Sequence, residues 1–224
     1  MPSEAAISLV HVKKSYNGRG KVVNVFDDVS LQIMKGEFVA VVGPTGCGKT
    51  TLINLISGLD RPISGEISID QTRIDSLSED DLTRLRATKM GVVFQAQNLF
   101  PELSVCENLE LPLAILGFKG EAREAMVKDT LKEVGLNSLA DRKAGNLSVG
   151  ERLMVGIARA LVKDPPIVLM DEPTECLDPL TTESVLTLLR SSNILKGRTI
   201  LVTTHSRRVT QTAERVIHLR KRIP

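Results

Sequence analysis

Five consecutive apolar residues, Phe38-Val39-Ala40-Val41-Val42, run directly into Gly43-Pro44-Thr45-Gly46-Cys47-Gly48-Lys49-Thr50. No other stretch restricts the fold as tightly. The apolar run does not alternate, which suits a strand covered on both faces in a parallel sheet. The eight residues after it fit G-x-x-x-x-G-K-[ST], and an apolar helix is expected from Thr51 to Ser57, ending near Gly58. Strand, glycine-rich turn and helix in that order predict a phosphate-binding loop. Backbone N–H groups of such a turn converge at a helix N-terminus and cradle phosphate oxygens. Lys49 would add a point charge at the β- and γ-phosphates, and Thr50 can set its hydroxyl on Mg²⁺. A plain surface turn explains these residues poorly, because Lys49 would then oppose the helix dipole for no gain.

Ile167-Val168-Leu169-Met170 repeats the buried-strand pattern and ends in Asp171-Glu172. Asp171 would hold Mg²⁺ through its waters, and Glu172 would orient or deprotonate an attacking water. Two acids at a strand end are common in solvated loops, but beside a phosphate loop the chemical reading prevails. Thr199 to Thr203 is a third buried run. Strands alternating with helices predict an α/β fold, a P-loop NTPase core with a mainly parallel sheet. The N-terminal part reads differently. Ile7 to Val12 and Val29 to Ile33 look like half-buried strands around the turn-rich Asn17-Gly18-Arg19-Gly20, and Gly65 to Asp70 adds an antiparallel-looking piece. Ser78, with an acid three residues on, opens a short helix in the manner of a capping box. Val127, Leu131 and Val134 mark an amphipathic helix over 121–134, stopped by Gly135, and another helix runs over 149–163, before Pro165-Pro166. One domain over 1–224 is expected. Residues 1–95 and 161–224 would form the core and an antiparallel β subdomain, with 96–160 inserted as a helical subdomain.

Composition removes several function classes. There are 29 basic and 27 acidic residues, a net charge of +2, with 3% aromatics and no Trp. Neither a basic surface nor a base-stacking platform is evident, so no nucleic-acid partner is expected. Cys47, Cys106 and Cys176 are too dispersed for a zinc site or a redox pair, which fits a reducing compartment. Met1 to Val10 does not read as a signal peptide. The longest apolar runs fall far short of the roughly 20 residues that span a bilayer. A membrane role would therefore need another chain to cross.

Together these motifs make the chain similar to the nucleotide-binding subunit of ABC (ATP-binding cassette) transporters, over essentially its whole length. Tyr16 matches the aromatic that stacks on adenine, and residues 43–50 match Walker A. Gln95, in Val92-Val93-Phe94-Gln95, matches the Q-loop. Leu147-Ser148-Val149-Gly150-Glu151 resembles the LSGGQ signature. Asp171-Glu172 ends Walker B, Leu177-Asp178 matches the D-loop, and His205 matches the switch histidine. The stretch from Phe94 to Pro101, with Glu107-Asn108-Leu109 and Gly58-Leu59-Asp60-Arg61-Pro62, resembles the macrolide-export, lipoprotein-release and cell-division group. The resemblance implies ATP and Mg²⁺ as cofactors and two copies sandwiching two ATP molecules head to tail. Glu172 would then be the base, with His205 and Gln95 also catalytic. Tyr16, Gly43, Thr45, Gly46, Cys47, Gly48, Lys49, Thr50 and Thr51 would bind nucleotide in one subunit, and Ser148, Gly150 and Asp178 would act across the interface. Thr50, Gln95 and Asp171 would hold the metal. A separate integral membrane permease would hold the chain at the cytoplasmic face of the membrane. Two alternatives stay open: a cell-division-type ATPase that transports nothing, and a low-turnover regulatory subunit.

The signature departs from the family pattern. A β-branched Val149 stands in place of the first glycine and is expected to crowd the backbone. Glu151 replaces Gln and would bring negative charge near phosphate. Leu153 and Met154 replace Gln and Arg. Cys47, at a helix N-terminus beside Lys49, has the setting of an activated thiol, though a small residue replacing Ser explains it as well. Cys176 reads as filler. His11 and His218 read as ordinary strand histidines, and Arg220-Lys221-Arg222 as solvated charge rather than a lipid contact.

Overall fold

The computed structural model describes residues 4–18, 21–175 and 177–220. Two sheets and seven helices carry these residues. β1 (Ala5–Gly18) and β2 (Lys21–Met34) form a long antiparallel hairpin, joined by β4 (Ser64–Ile69) and the short β5 (Thr72–Arg73) in the order β2-β1-β4-β5. The second sheet has the order β6-β7-β8-β3-β9, every neighbouring pair parallel. It comprises β3 (Phe38–Val42), β6 (Met90–Val93), β7 (Ile167–Asp171), β8 (Thr199–Thr204) and β9 (Arg215–His218). The hairpin strands are longer than the alternating runs suggested. Arg19, Gly20 and Cys176 lie outside the described residues, as do Lys221 and Arg222.

Both faces of the parallel sheet are covered, as the unbroken apolar runs require. Val39, Val41, Leu169 and Leu201 point into one hydrophobic cluster, and Phe38, Ala40, Val168, Met170, Ile200 and Val202 into the other. The period of two along each strand divides them. The first cluster packs the parallel sheet against the antiparallel one, with α1 (Lys49–Ile56) between them, burying Leu52, Ile53, Leu55 and Ile56. Each such side chain contributes roughly 1.5–3 kcal/mol on burial. This clamps the phosphate loop from both sides. The second cluster gathers Val105, Leu109 and Leu113 of α3 (Val105–Ile115), Val127 and Leu131 of α4 (Gly120–Glu133), Leu153 and Ile157 of α5 (Val149–Leu161), and Val185 and Leu189 of α6 (Pro179–Lys196).

The helix starts follow local chemistry. Ser104 and Ser148 cap α3 and α5 with complete capping boxes, to Glu107 and Glu151. Asp178 caps α6 ahead of Pro179, and Gly197 ends it at φ 63°. At α2 (Glu79–Lys89) the box is half formed. Ser78 accepts from the Asp81 N–H, but its own hydroxyl donates to the Asp81 carboxylate, because Asp is too short to reach back to the backbone. α7 (Arg207–Thr212) connects β8 to β9. No helix among the described residues is long and apolar enough to cross a membrane.

Candidate functional site

The turn between β3 and α1 is built around Gly48. It sits at φ 103°, in the left-handed region, and a Cβ there would meet Val25 Cγ1 at 2.5 Å. Neither backbone nor packing admits another residue. α1 begins at Lys49 with no side-chain cap and no acid in its first turn, so its N-terminal N–H groups remain available to an anion. Lys49 is 7% exposed. Its ammonium donates to the Gly43 carbonyl at 2.9 Å and stands 2.8 Å from Nε2 of His205 and 3.3 Å from a Glu172 oxygen.

The acids arrive from β7. Asp171 is buried and accepts from two hydroxyls, Thr50 at 2.7 Å and Thr203 at 2.6 Å. Glu172, the next residue, turns out of the strand at φ 49°. A non-glycine residue there costs roughly 1–3 kcal/mol, strain of the kind that collects at functional sites. Thr203 Oγ1 accepts from the Glu172 N–H at 3.2 Å, and a Glu172 oxygen accepts from the His205 N–H at 3.2 Å. The other Glu172 oxygen lies 3.3 Å from His205 Nε2. Strands β7 and β8 therefore set carboxylate, imidazole and ammonium against one another.

These groups border a cavity of about 420 Å³. Thr45, Gly46, Gly48, Lys49, Thr50 and Thr51 line its phosphate-loop side. Gln95, Glu172 and His205 face them, and Tyr16 stands at the far end. Gly43 supplies its carbonyl to Lys49 from just behind. A larger groove of about 710 Å³ runs between α4 and α6, but its Lys196 and Glu133 pair with each other and no motif reaches it.

The Cys47 side chain is not part of the lining. It is 3% exposed, and a Cβ on Gly43 would lie 2.5 Å from its sulfur. The thiol fills space under the loop, which favours the small-residue reading over a reactive cysteine. Ser148, Gly150 and Asp178 are also outside the cavity. Gly150 and Asp178 share Thr181 as a neighbour: a Cβ on Gly150 would touch Thr181 Cγ2 at 3.0 Å, and Thr181 bonds to Asp178. The expectation of a crowded Val149 is corrected. Val149 is the first residue of α5, outside the left-handed region and 46% exposed, where any side chain fits. Glu151 caps its own helix. Its carboxylate accepts from the Ser148 N–H at 2.7 Å, with Arg142 at 3.6 Å. The Ser148 N–H and hydroxyl, then Arg142, hold its carboxyl below the usual carboxylate range.

Sequence reasoning passed over three neighbours of the site. Glu175 lines the cavity, and its carboxylate accepts from the Gln95 amide. Thr203 holds Asp171. Asp60 accepts from the Tyr16 hydroxyl at 2.6 Å. An acid three residues after Glu172, and the Thr pair ending a buried strand, were the visible signals for the first two. Nothing local marked Asp60. His11 is exposed and pairs with Asp28 at 2.8 Å, as an ordinary strand histidine does. Among the described residues no group of three His, Cys, Asp or Glu side chains forms a metal cage. Mg²⁺ held by one or two protein oxygens, waters and phosphates needs none, and the hard oxygens of Thr50 and Asp171 fit that chemistry.

Comparison with known proteins agrees with this geometry. The family model described as ABC transporter matches residues 26–175. An uncharacterized ABC transporter ATP-binding protein of Methanocaldococcus jannaschii is 41% identical over 218 residues, covering 96% of this chain and 93% of its own length. The lipoprotein-releasing system ATP-binding protein LolD of Syntrophotalea carbinolica is 39% identical over 215 residues, covering 96% and 95%. A dimeric structure of the same Methanocaldococcus jannaschii cassette superposes with a TM-score of 0.90 at 40% identity, covering 96% of this chain and 94% of that one. A dimeric post-hydrolysis state of that cassette, bound to ADP and phosphate, gives 0.89. The fold is that of the ABC ATPases, and the chain belongs to the ABC transporter family as an ATP-binding cassette.

Proposed function

We propose that this chain is the ATP-hydrolysing subunit that powers a separate membrane permease, in export or extraction of a lipid, lipoprotein, peptide or drug. The observation that carries the reading is the convergence of Lys49, Glu172 and His205 within 3.3 Å, on the strand ends around an uncapped helix N-terminus. A lipoprotein-releasing relative and macrolide-export relatives support the choice of cargo class.

In this reading the loop amides and Lys49 hold the β- and γ-phosphates, and Tyr16 stacks on the base. Thr50, Asp171 and Gln95 hold Mg²⁺, which when bound neutralises charge on the phosphates. Glu172 takes the proton of a water whose oxygen attacks the γ-phosphorus, and the β-phosphate oxygen leaves with ADP. His205, within reach of both Glu172 and Lys49, contacts the γ-phosphate and holds the water. Ser148, Gly150 and Asp178 complete the site of a second copy bound head to tail. Their position outside the cavity of their own chain supports that role. ATP then favours the closed pair over open subunits, and hydrolysis removes that bias.

We further propose that residues 96–160 act as the helical unit that meets the permease, with 1–95 and 161–224 as the nucleotide-binding core. A groove of about 370 Å³ between α2, α3 and α5 supports this. Phe100, Pro112 and Ile115 give it an apolar wall, with Arg86, Arg159 and Lys163 beside it. The chain would thereby sit at the cytoplasmic face of the membrane.

Light scattering of Glu172→Gln with and without ATP-Mg²⁺, alongside turnover of the unmodified chain, tests the reading. A nucleotide-dependent shift from monomer to dimer, with hydrolysis lost only in the variant, is expected. A chain that neither hydrolyses ATP nor pairs in its presence would overturn the reading.

A further inference from the structure

We infer that Asp60 is a positioning residue for the nucleotide base: through Tyr16 and Lys14 it fixes the ring on which the base stacks, and ties that ring to the helix that binds the phosphates. The inference rests on the ATP-binding reading above. Tyr16 is partly exposed and lines the cavity. Its hydroxyl donates to one Asp60 oxygen at 2.6 Å. The other Asp60 oxygen accepts from the Lys14 ammonium at 2.5 Å, and from the Arg61 N–H at 2.7 Å. The same ammonium lies 4.7 Å from the centroid of the Tyr16 ring. Lys14 is buried and absent from the cavity lining, so its cation covers the inner face of the ring and the other face is left for a flat partner. Hydroxyl and ring face are thus held by one carboxylate and the cation it binds.

The anchor is not free to drift. The chain after α1 folds back along the helix, where the N–H groups of Leu59 and Asp60 both donate to the Asn54 carbonyl. Asn54 is one turn from Thr51, which lines the cavity together with Tyr16. Arg61 fastens the far side of the loop, donating to the carbonyls of Asp75 and Leu77 and pairing with Glu79 at 2.8 Å. α1 therefore supplies the phosphate contacts from its first turn and holds the base platform from its last. The distance between the two is set by one buried helix rather than by the reach of the β1–β2 hairpin. Burial first, then the Asp60 carboxylate, raises the Tyr16 phenol above its ordinary range. Burial pushes Asp60 upward, but the hydrogen bonds from Lys14, Tyr16 and Arg61 outweigh it and the carboxyl ends below its ordinary range. Both leave the phenol a donor and the carboxylate charged at neutral pH.

Tyr16 is the sole tyrosine and there is no tryptophan, so intrinsic emission reports on this ring alone. The full chain is titrated with ATP-Mg²⁺ and, separately, with magnesium tripolyphosphate, which carries the phosphates without a base. In the unmodified chain ATP is expected to change the tyrosine emission and tripolyphosphate to leave it unchanged. Asp60→Ala is expected to raise the KM for ATP about tenfold, within what loss of base–aromatic stacking can produce. Its kcat should stay within about twofold and its tripolyphosphate affinity should be unchanged. Because Asp60→Ala leaves the buried Lys14 with the Arg61 carbonyl but no carboxylate, Tyr16→Phe provides a second route. It keeps ring and cation and removes only the hydroxyl, and it should raise KM in the same direction while Asp60→Ala on that background adds less than it does alone. An unchanged KM in both variants overturns the inference, as does a parallel loss of ATP and tripolyphosphate binding, which a merely structural loop would give. An unmodified chain that binds tripolyphosphate but no ATP overturns the nucleotide reading itself, a result distinct from either.

Discussion

Two helix N-termini in this molecule face the same problem of unsatisfied backbone donors and answer it oppositely. α5 resolves it internally. Ser148 accepts from the Glu151 N–H at 3.2 Å, Glu151 accepts from the Ser148 N–H, and an acid sits where the dipole welcomes it. α1 has Gly48 for a cap, no side-chain acceptor and no acid in its first turn, and it buries a lysine against the dipole. The second arrangement leaves its first-turn donors without a side-chain acceptor, and an anion can satisfy them. The first is complete alone, yet it does not exhaust its donors. In the box Ser148 Oγ accepts from the Glu151 N–H, and the N–H groups of Val149 and Gly150 are left over. A signature bearing Val149 and Glu151 can therefore still serve a phosphate approaching from outside the chain.

Removing the charge at the uncapped end should have the largest effect. Lys49→Met is expected to reduce ATP turnover roughly a hundredfold or more, the scale of losing a preorganised donor at a phosphate. Its melting temperature should change little, because relief of the cation facing the helix dipole is offset by loss of the ammonium 3.3 Å from Glu172. A variant that loses stability in step with activity would mean that Lys49 is chiefly structural, and the contrast with α5 would fail. At the capped end, Ser148→Ala should do both kinds of damage. Loss of the cap lowers stability by about 1 kcal/mol, and loss of the hydroxyl should weaken ATP-dependent pairing. Glu151→Gln separates the two, because the amide oxygen can still accept from the Ser148 N–H while the charge is gone. Pairing in Glu151→Gln close to that of the unmodified chain would show that the acid acts on its own helix and not on phosphate. Native Glu151 has its carboxyl held below the usual range, so its contribution is present above the unfolded value near 4.5 and disappears as pH falls through the lower folded value.

What the sequence revealed and what it hid follow the same division. Contiguous chemistry was legible. Gly43 to Thr50, Asp171-Glu172 and the unbroken apolar strands each state their structure within eight residues, and the parallel sheet and phosphate loop follow from them. The start of α2 was legible from Ser78 and the acid three residues on, while the same spacing at Ser104-Glu107 and Ser148-Glu151 went unread. Residues whose function lies in a distant partner were not. Asp60 meets Tyr16 across 44 positions and Glu175 meets Gln95 across 80, and no local pattern encodes either. Val149 was misread, and the cap formed by Glu151 missed, for the opposite reason. A family motif was given priority over the capping rule that the same residues, Ser148 and Glu151, satisfy.

The C-terminal end of α5 supplies a control for Lys49. Lys163 follows the helix, where the dipole favours a cation, yet burial pushes its ammonium down to about 8. Its hydrogen bond in the structure goes to the Arg86 carbonyl at 2.6 Å, and among the described residues it forms no carboxylate salt bridge. The sign of the linkage is set by the unfolded chain, which keeps its proton to about 10.5 while the folded chain releases it near 8. Stability should therefore rise with pH between those values. Lys163→Met should stabilise the chain at pH 7 by about 1–2 kcal/mol, less than 1.36 kcal/mol per pH unit would give because the ammonium is partly solvated, and should flatten the rise. Melting curves from pH 7 to 10 check it. If Lys163→Met instead destabilises at pH 7, the ammonium has a stronger partner than the Arg86 carbonyl.

The smallest effect is expected at Glu175, and it decides how self-sufficient the phosphate end is. This exposed carboxylate adds a negative charge to the cavity proposed to receive the triphosphate, and it holds the amide of Gln95, which the proposed mechanism needs at the metal. Both effects oppose nucleotide. Solvent and salt screen an exposed charge to well under 1 kcal/mol, which allows about a two- to threefold change and no more. Glu175→Ser should lower the KM for ATP-Mg²⁺ by that factor, and the gain should shrink as salt is raised, because only the charge term is screened. A gain that persists at high salt would assign the effect to the freed Gln95 side chain. A rise in KM would make Glu175 part of the binding surface, and the uncapped end would then need an acid after all.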